Sequence, residues 1–225
     1  MDAIVTLTAP TSRAAEAYRA LRINLEFASV DRSLRSLLVT SSGPDEGKSA
    51  ALANLAVAMA DGDRAVILVD ADLRRPCQHE LFELSNERGL TDVFRDQAAF
   101  DDPPLQSVAD SSLKVLTSGT LPPIPSQLLA ARKMDDVIAR LLELADIVLF
   151  DAPPLVAVTD ASLLASKVDG VLLVVRAGNT RRDHVRAAKD RLDKVNAWLV
   201  GAVLLNAPFD HSLEGYYPSQ RQRSE

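Results

Sequence analysis

The chain has 225 residues, enough for one large α/β domain with a full core, and no internal repeat or low-complexity block divides it. Lys+Arg 25 against Asp+Glu 31 gives a formal net charge of −6, which argues against nucleic acid, whose phosphates want a basic footprint. A single cysteine, Cys77, excludes an internal disulfide; His79, His184 and His211 are scattered and read as structural or surface residues. The sequence has no signal peptide, and no apolar run approaches the ~20 residues of a membrane span, so a soluble, cytoplasmic chain is predicted.

Residues 1–11 read as an arm with little periodicity, and Ser12 is placed to cap a helix running to about Ala28, with Leu21, Leu25 and Ala28 on one stripe. Glu16, Arg19 and Arg22 recur at intervals of three over one side of it, which by spacing alone is a solvated face with an i,i+3 ion pair. Residues 37–40 form a buried strand, and 48–60 a helix with Leu52, Leu55, Ala56 and Met59 on its apolar face. Asp61-Gly62-Asp63 breaks that helix, and the near-continuous apolar run 65–69 belongs inside a parallel sheet.

The pattern weakens over 77–112, where a short helix follows Gly89 and a loop covers 101–104; 113–116 is a weak strand. After the rigid connection 121–126, whose last residue Ser126 is placed to cap it, a helix runs over about 127–144. Strand 147–150, helix 160–167, strand 170–175, helix 181–195 and strand 199–205 follow. This alternation predicts an α/β fold over 1–206, a mostly parallel sheet with helices on both faces, followed by a polar, mobile tail over 207–225 that carries Tyr216 and Tyr217.

The stretch Ser41-Ser42-Gly43-Pro44-Asp45-Glu46-Gly47-Lys48-Ser49 joins the first strand to the helix at 48, the context of a phosphate-binding loop. Its spelling approaches G-x-x-x-x-G-K-[ST], with Ser42 at the first glycine position, tolerable where the turn does not demand positive φ. Ser42, Gly43, Pro44, Asp45, Glu46, Gly47, Lys48, Ser49 and Ala50 are the candidate nucleotide contacts, Lys48 reaching the terminal phosphates and the Ser49 hydroxyl holding Mg²⁺. Ligands of such sheets sit beyond the carboxyl ends of the strands, where Asp70, Asp72 and Asp151 also fall. Crowded carboxylates need a cation. The candidate metal set is Ser49, Asp72 and Asp151, with Asp151 ordering the water shell; Asp70 and Asp72 divide between metal binding and activation of a nucleophile. Lys48, Asp70 and Asp72 are thus the candidate catalytic residues, and Asn206, ending the last strand, contacts adenine or forms a turn.

With these motifs in place the chain resembles the cytoplasmic domain of the bacterial tyrosine kinases (BY-kinases) of capsule and exopolysaccharide synthesis, over nearly its whole length. Ser42 to Ser49 resembles the family's Walker A, the run from Val66 to Arg74 with Asp70 and Asp72 its A′ motif, and Ile147 to Pro154 its Walker B. Glu16-x2-Arg19-x2-Arg22 resembles the motif through which these kinases form rings, which reverses the bland reading of that helix. The resemblance implies a P-loop NTPase fold, ATP and Mg²⁺ as cofactors, and autophosphorylation on tyrosine, the acceptors being Tyr216 and Tyr217 entering a neighbour's site. It further implies a homo-oligomeric ring, a membrane-embedded activator of the chain-length-regulator type that holds the chain at the inner face of the membrane, control of polysaccharide export, and room for a cognate tyrosine phosphatase.

The chain departs from the family at Asp45, where many relatives have glycine, at Ala50 and Ala152, where hydroxyls are usual, and in its tail of two tyrosines. The reduced tail keeps open an ATP-binding scaffold of the same pathway that lacks efficient phosphorylation. Gly43 stands where partitioning ATPases carry a second lysine, and no Asn-Lys-x-Asp motif reads guanine. The start at Met1 favours a free-standing domain.

Overall fold

The computed structural model describes residues 4–61, 64–108 and 111–208. Its strands are β1 (Ser36–Ser41), β2 (Val66–Asp70), β3 (Gln106–Ser107), β4 (Leu113–Leu116), β5 (Ile147–Asp151), β6 (Gly170–Arg176) and β7 (Leu199–Leu205). They form one sheet in the order β3-β4-β2-β5-β1-β6-β7, parallel throughout except for the antiparallel pairing of β3 with β4. The helices are α1 (Val5–Thr8), α2 (Arg13–Ala28), α3 (Lys48–Ala60), α4 (Gln78–Leu81), α5 (Leu90–Arg95), α6 (Gln97–Asp101), α7 (Pro125–Ala130), α8 (Lys133–Leu144), α9 (Asp160–Ala165) and α10 (Arg182–Lys194).

Alternation along the strands divides the core in two. Leu37 and Val39 of β1, Leu68 of β2 and Leu149 of β5 pack with Leu25 of α2 and Leu52, Leu55 and Met59 of α3. Leu38, Ile67, Val69, Val148 and Phe150 point the other way, onto Val93 of α5, Leu129 of α7, Leu141 of α8, Leu164 of α9 and Leu192 of α10. Strands apolar on both faces need cover on both, so this is the helix-clad sheet that the sequence predicts. All backbone runs of β1, β2 and β5 therefore end at one rim, where polar residues follow.

Some elements differ from the sequence expectation. The arm at 1–11 contains α1, because Thr6 finds a buried partner: its N–H and hydroxyl donate to Asn54 Oδ1 of α3 at 3.0 and 3.1 Å. Ser12 does cap α2, accepting from the N–H of Ala15. Ser126 caps nothing: α7 starts one residue earlier with Pro125 at its first position, where a missing N–H costs little, and Ile124 is the N-cap. The continuous helix expected over 127–144 is two, because Ala131 turns extended (ψ 148) between α7 and α8.

Candidate active site

At the rim formed by β1, β2 and β5 lies a cleft of about 740 Å³ bounded by the loop before α3, by Asp72, Arg74 and Cys77 after β2, and by Pro153 and Pro154 after β5. The loop accepts Ser42 because its left-handed residues are elsewhere, at Gly47 (φ 83) and Asp45 (φ 58). Gly47 suits such a turn; Asp45 adopts it at a cost that glycine would not bear. Glu46, though it borders the cleft, folds back on the loop: the residue is buried and its carboxylate accepts from the N–H and hydroxyl of Ser42 at 3.0–3.1 Å, tying the ends of the loop together.

Lys48 lies among oxygens. Its Nζ donates to Asp72 Oδ2 at 2.8 Å, Asp151 Oδ1 at 3.1 Å and Ser49 Oγ at 3.0 Å. Burial works against its charge, but Asp151 and Asp72 outweigh that and raise its pKa above the ordinary lysine value. One ammonium thus sits where a hydroxyl and two carboxylates converge. That donor set fits Mg²⁺, which takes one or two carboxylates, phosphate oxygens and water rather than an all-protein cage. Among the described residues, no group of three His, Cys, Asp or Glu side chains could hold a metal ion by itself.

The aspartates of the second motif, two residues apart, have different surroundings. Asp72 lines the cleft; its Oδ1 accepts from the N–H groups of Arg74 and Arg75 at 3.3 and 3.1 Å, which orients Oδ2 toward Lys48. Asp70 is fully buried beside Asp151, its register partner on β5. Its Oδ2 accepts from the N–H groups of Cys77 and Gln78 at 3.0 and 2.9 Å, starting α4, and Oδ1 has no partner among the described residues. Burial, and then the charge of Asp151, push the Asp70 pKa up to about 8.

No protein-family model matches the chain. The chain is 40% identical over 215 residues to the tyrosine-protein kinase YwqD of Bacillus subtilis, covering 95% of this chain and 90% of that protein. It is 35% identical over 208 residues to the putative tyrosine-protein kinase CapB of Staphylococcus aureus, covering 92% and 91%. The crystal structure of the chimerical protein CapA2B2 superposes with a TM-score of 0.87 at 35% identity, over 93% of this chain and 92% of that one. The chain belongs to the bacterial tyrosine-protein kinases. The septum site-determining protein MinD of Pyrococcus horikoshii, at 20% identity and a TM-score of 0.64 over 76% of this chain and 70% of that one, shares the fold.

Within this kinase family member, three features of the site carry no sequence signal strong enough to have marked them. Gln78 is fully buried and its Nε2 donates to Asp151 Oδ2 at 2.8 Å and to the Ser49 carbonyl at 3.1 Å, bridging two of the motifs. Arg74 forms a two-point pair with the buried Asp160 of α9 at 2.8 and 3.0 Å, fastening the loop that holds Asp72. Cys77 lines the cleft, with burial pushing its thiol up to about 11.

The remaining predicted residues fall as follows. Asn206 occupies a left-handed turn (φ 54), and with its amide oxygen toward Arg176 it accepts from that guanidinium at 3.1 and 3.2 Å; it does not line the cleft. On α2, Glu16 pairs with Arg19 at 2.9 Å, and Arg22 reaches the Ala58 carbonyl of α3 at 3.4 Å, so each makes contacts within its own chain. Tyr216 and Tyr217 lie outside the described residues.

Proposed function

We propose that the chain is an ATP-dependent tyrosine autokinase that uses Mg²⁺ and regulates capsule or exopolysaccharide synthesis, held at the inner face of the membrane by a chain-length-regulator partner. The observation that carries the nucleotide chemistry is the convergence of Lys48, Ser49, Asp72 and Asp151 beside the phosphate loop. Ser49, Asp72 and Asp151 would hold the ion, which when bound neutralises phosphate charge. The loop's N–H groups and the start of α3 hold the phosphates, and Lys48 adds its charge to them.

A phenol with a pKa near ~10 needs a base as it attacks. Asp72 faces the cleft and is the better base; Asp70, buried and raised to about 8, carries its proton at neutral pH and instead fixes α4, and through Gln78 the aim of Asp151. Gln78 and the Arg74–Asp160 pair act through Asp151 and Asp72 and are positioning residues. The acceptors are Tyr216 and Tyr217 of a neighbouring subunit, brought close by a ring that uses Glu16, Arg19 and Arg22. No helix among the described residues is long and apolar enough to cross a membrane, which fits recruitment through a partner.

The test is incubation with Mg-ATP, with and without the cytoplasmic tail of a candidate activator, and mapping of phosphotyrosine by mass spectrometry, with Asp72→Asn as the control. Phosphate on Tyr216 or Tyr217 supports the reading. Tight ATP binding with no phosphotyrosine under either condition replaces it with the nucleotide-dependent scaffold.

A further inference from the structure

On the α10 side of the sheet, at the carboxyl ends of β6 and β7, lies a second groove of about 520 Å³. Its lining includes Arg176, Arg182 and Arg186 and no carboxylate, an imbalance that stands out in a chain of net charge −6. Arg182 and Arg186 sit one turn apart on α10 and so share a face. Neither makes a hydrogen bond or ion pair among the described residues, whereas the nearby Arg181 is neutralised by Asp183 at 2.6 Å. Arg176 is held by Asn206 and reaches the Asp45 carbonyl at 3.4 Å. Between the cations the wall is apolar, from Val175, Val185 and Leu204, the last 55% exposed.

Two free guanidinium groups above an apolar wall suit a ligand with a dianionic head on a flat apolar body. Arginine forks bind phosphate bidentately, and the wall accepts a ring. We propose that this groove binds phosphotyrosine, and that its occupant is the chain's own tail once Tyr216 or Tyr217 is phosphorylated. The tail begins beside it: Leu204 lies four residues before Pro208, the last described residue, and Tyr216 eight residues after it. Eight residues reach up to about 27 Å when extended, enough to return to the groove. Each phosphate adds about −1.5 to −2 charge, which the carboxylates of Asp72 and Asp151 at the cleft repel and the arginine groove attracts. The groove thereby takes the labelled tail out of a neighbour's site. This rests on the proposal that Tyr216 and Tyr217 are the acceptors.

The experiment separates the two. The full chain with Tyr216→Phe and Tyr217→Phe is titrated, in the presence of Mg-ADP, into a fluorescent peptide of residues 209–225, either phosphorylated on both tyrosines or unmodified. Because the phosphate is supplied, the outcome does not depend on whether the chain labels itself. Anisotropy should show the phosphopeptide binding about tenfold or more tighter than the plain peptide, and Arg182→Ala/Arg186→Ala should abolish that difference while its urea midpoint stays near the parent's. Equal affinity for both peptides overturns the proposal, as does a preference that survives loss of both arginines. Binding through the same arginines to phosphatidylserine-containing vesicles, without binding to the phosphopeptide, makes the groove a membrane contact instead and also overturns it.

Discussion

Replacing Asp70 with asparagine isolates the acid that holds its proton at neutral pH. Its folded pKa is raised to about 8 from an ordinary 3.8, first by burial and then by Asp151 across the β2–β5 pairing. A raised folded value means that the native state binds the extra proton. The associated stability is fully present below the unfolded value of 3.8 and is lost as pH rises through about 8. Within that window the slope is about 1.4 kcal/mol per pH unit, or roughly 3 kcal/mol between about pH 5 and pH 7. That is an upper figure, since both burial and the neighbouring Asp151 charge enter it. Asparagine keeps an oxygen for the N–H groups of Cys77 and Gln78 and takes up no proton. Urea unfolding of nucleotide-free protein in EDTA measures both profiles. The advantage of the parent over Asp70→Asn should shrink by up to that amount across the two units. Parallel profiles would refute the buried, protonated carboxyl.

Lys48→Met leaves Asp72 and Asp151 buried without their cation; breaking such a cluster costs about 3–5 kcal/mol, so the urea midpoint should fall, and calorimetry should show weakened Mg-ATP binding. An unchanged midpoint and affinity would remove Lys48 from the site. Asp45→Gly relieves a left-handed non-glycine residue (φ 58) and should be neutral to stabilising by about 1 kcal/mol, read as a thermal shift; a clear loss would mean that the Asp45 side chain supports the loop. Gly89→Ala places a methyl 2.1 Å from the Thr117 carbonyl and 2.4 Å from the Gly119 N–H, a backbone clash that should cost at least about 3 kcal/mol, and a variant unfolding with the parent would contradict the packing of α5 on the end of β4.

How far the sequence could be read depended on where each element's cause lies. α3 and β7 are legible to the residue because their causes are local: an apolar run, with a lysine and a serine opening the helix. α4 is four residues held by a carboxylate seven residues before its N-cap, and no periodicity can show that. α1 depends on Asn54, 48 residues away from Thr6. The site divides the same way. Three aspartates at strand ends announce a cluster, but Asp70 and Asp72 are spelled alike, and only the backbone N–H groups each one meets separate a buried clamp from a cleft-facing carboxylate. Gln78 was invisible because a glutamine in a polar stretch has no distinguishing pattern; its meaning is its reach to Asp151.

The position of Lys48 bears on what the cleft can accept. Asp72 and Asp151 are almost wholly buried, with the Lys48 ammonium 2.8 and 3.1 Å away. A phosphate group arriving alone would compete for that one charge and leave two carboxylates facing fresh negative charge, a repulsion strengthened by burial. On the proposed reading a ligand that brings its own cation satisfies Ser49, Asp72 and Asp151 together and releases Lys48 for the phosphates. Lys48 is then shared between two states, clasped to the carboxylates without ligand and turned to the phosphates with it. The energy that holds the clasp must be recovered in the second state, so nucleotide and metal affinities are reciprocally linked through this one side chain. Free nucleotide should therefore bind more weakly than its metal complex, by a margin that widens when Lys48 is replaced, since Asp72 and Asp151 then face the phosphates without the ammonium that paired them.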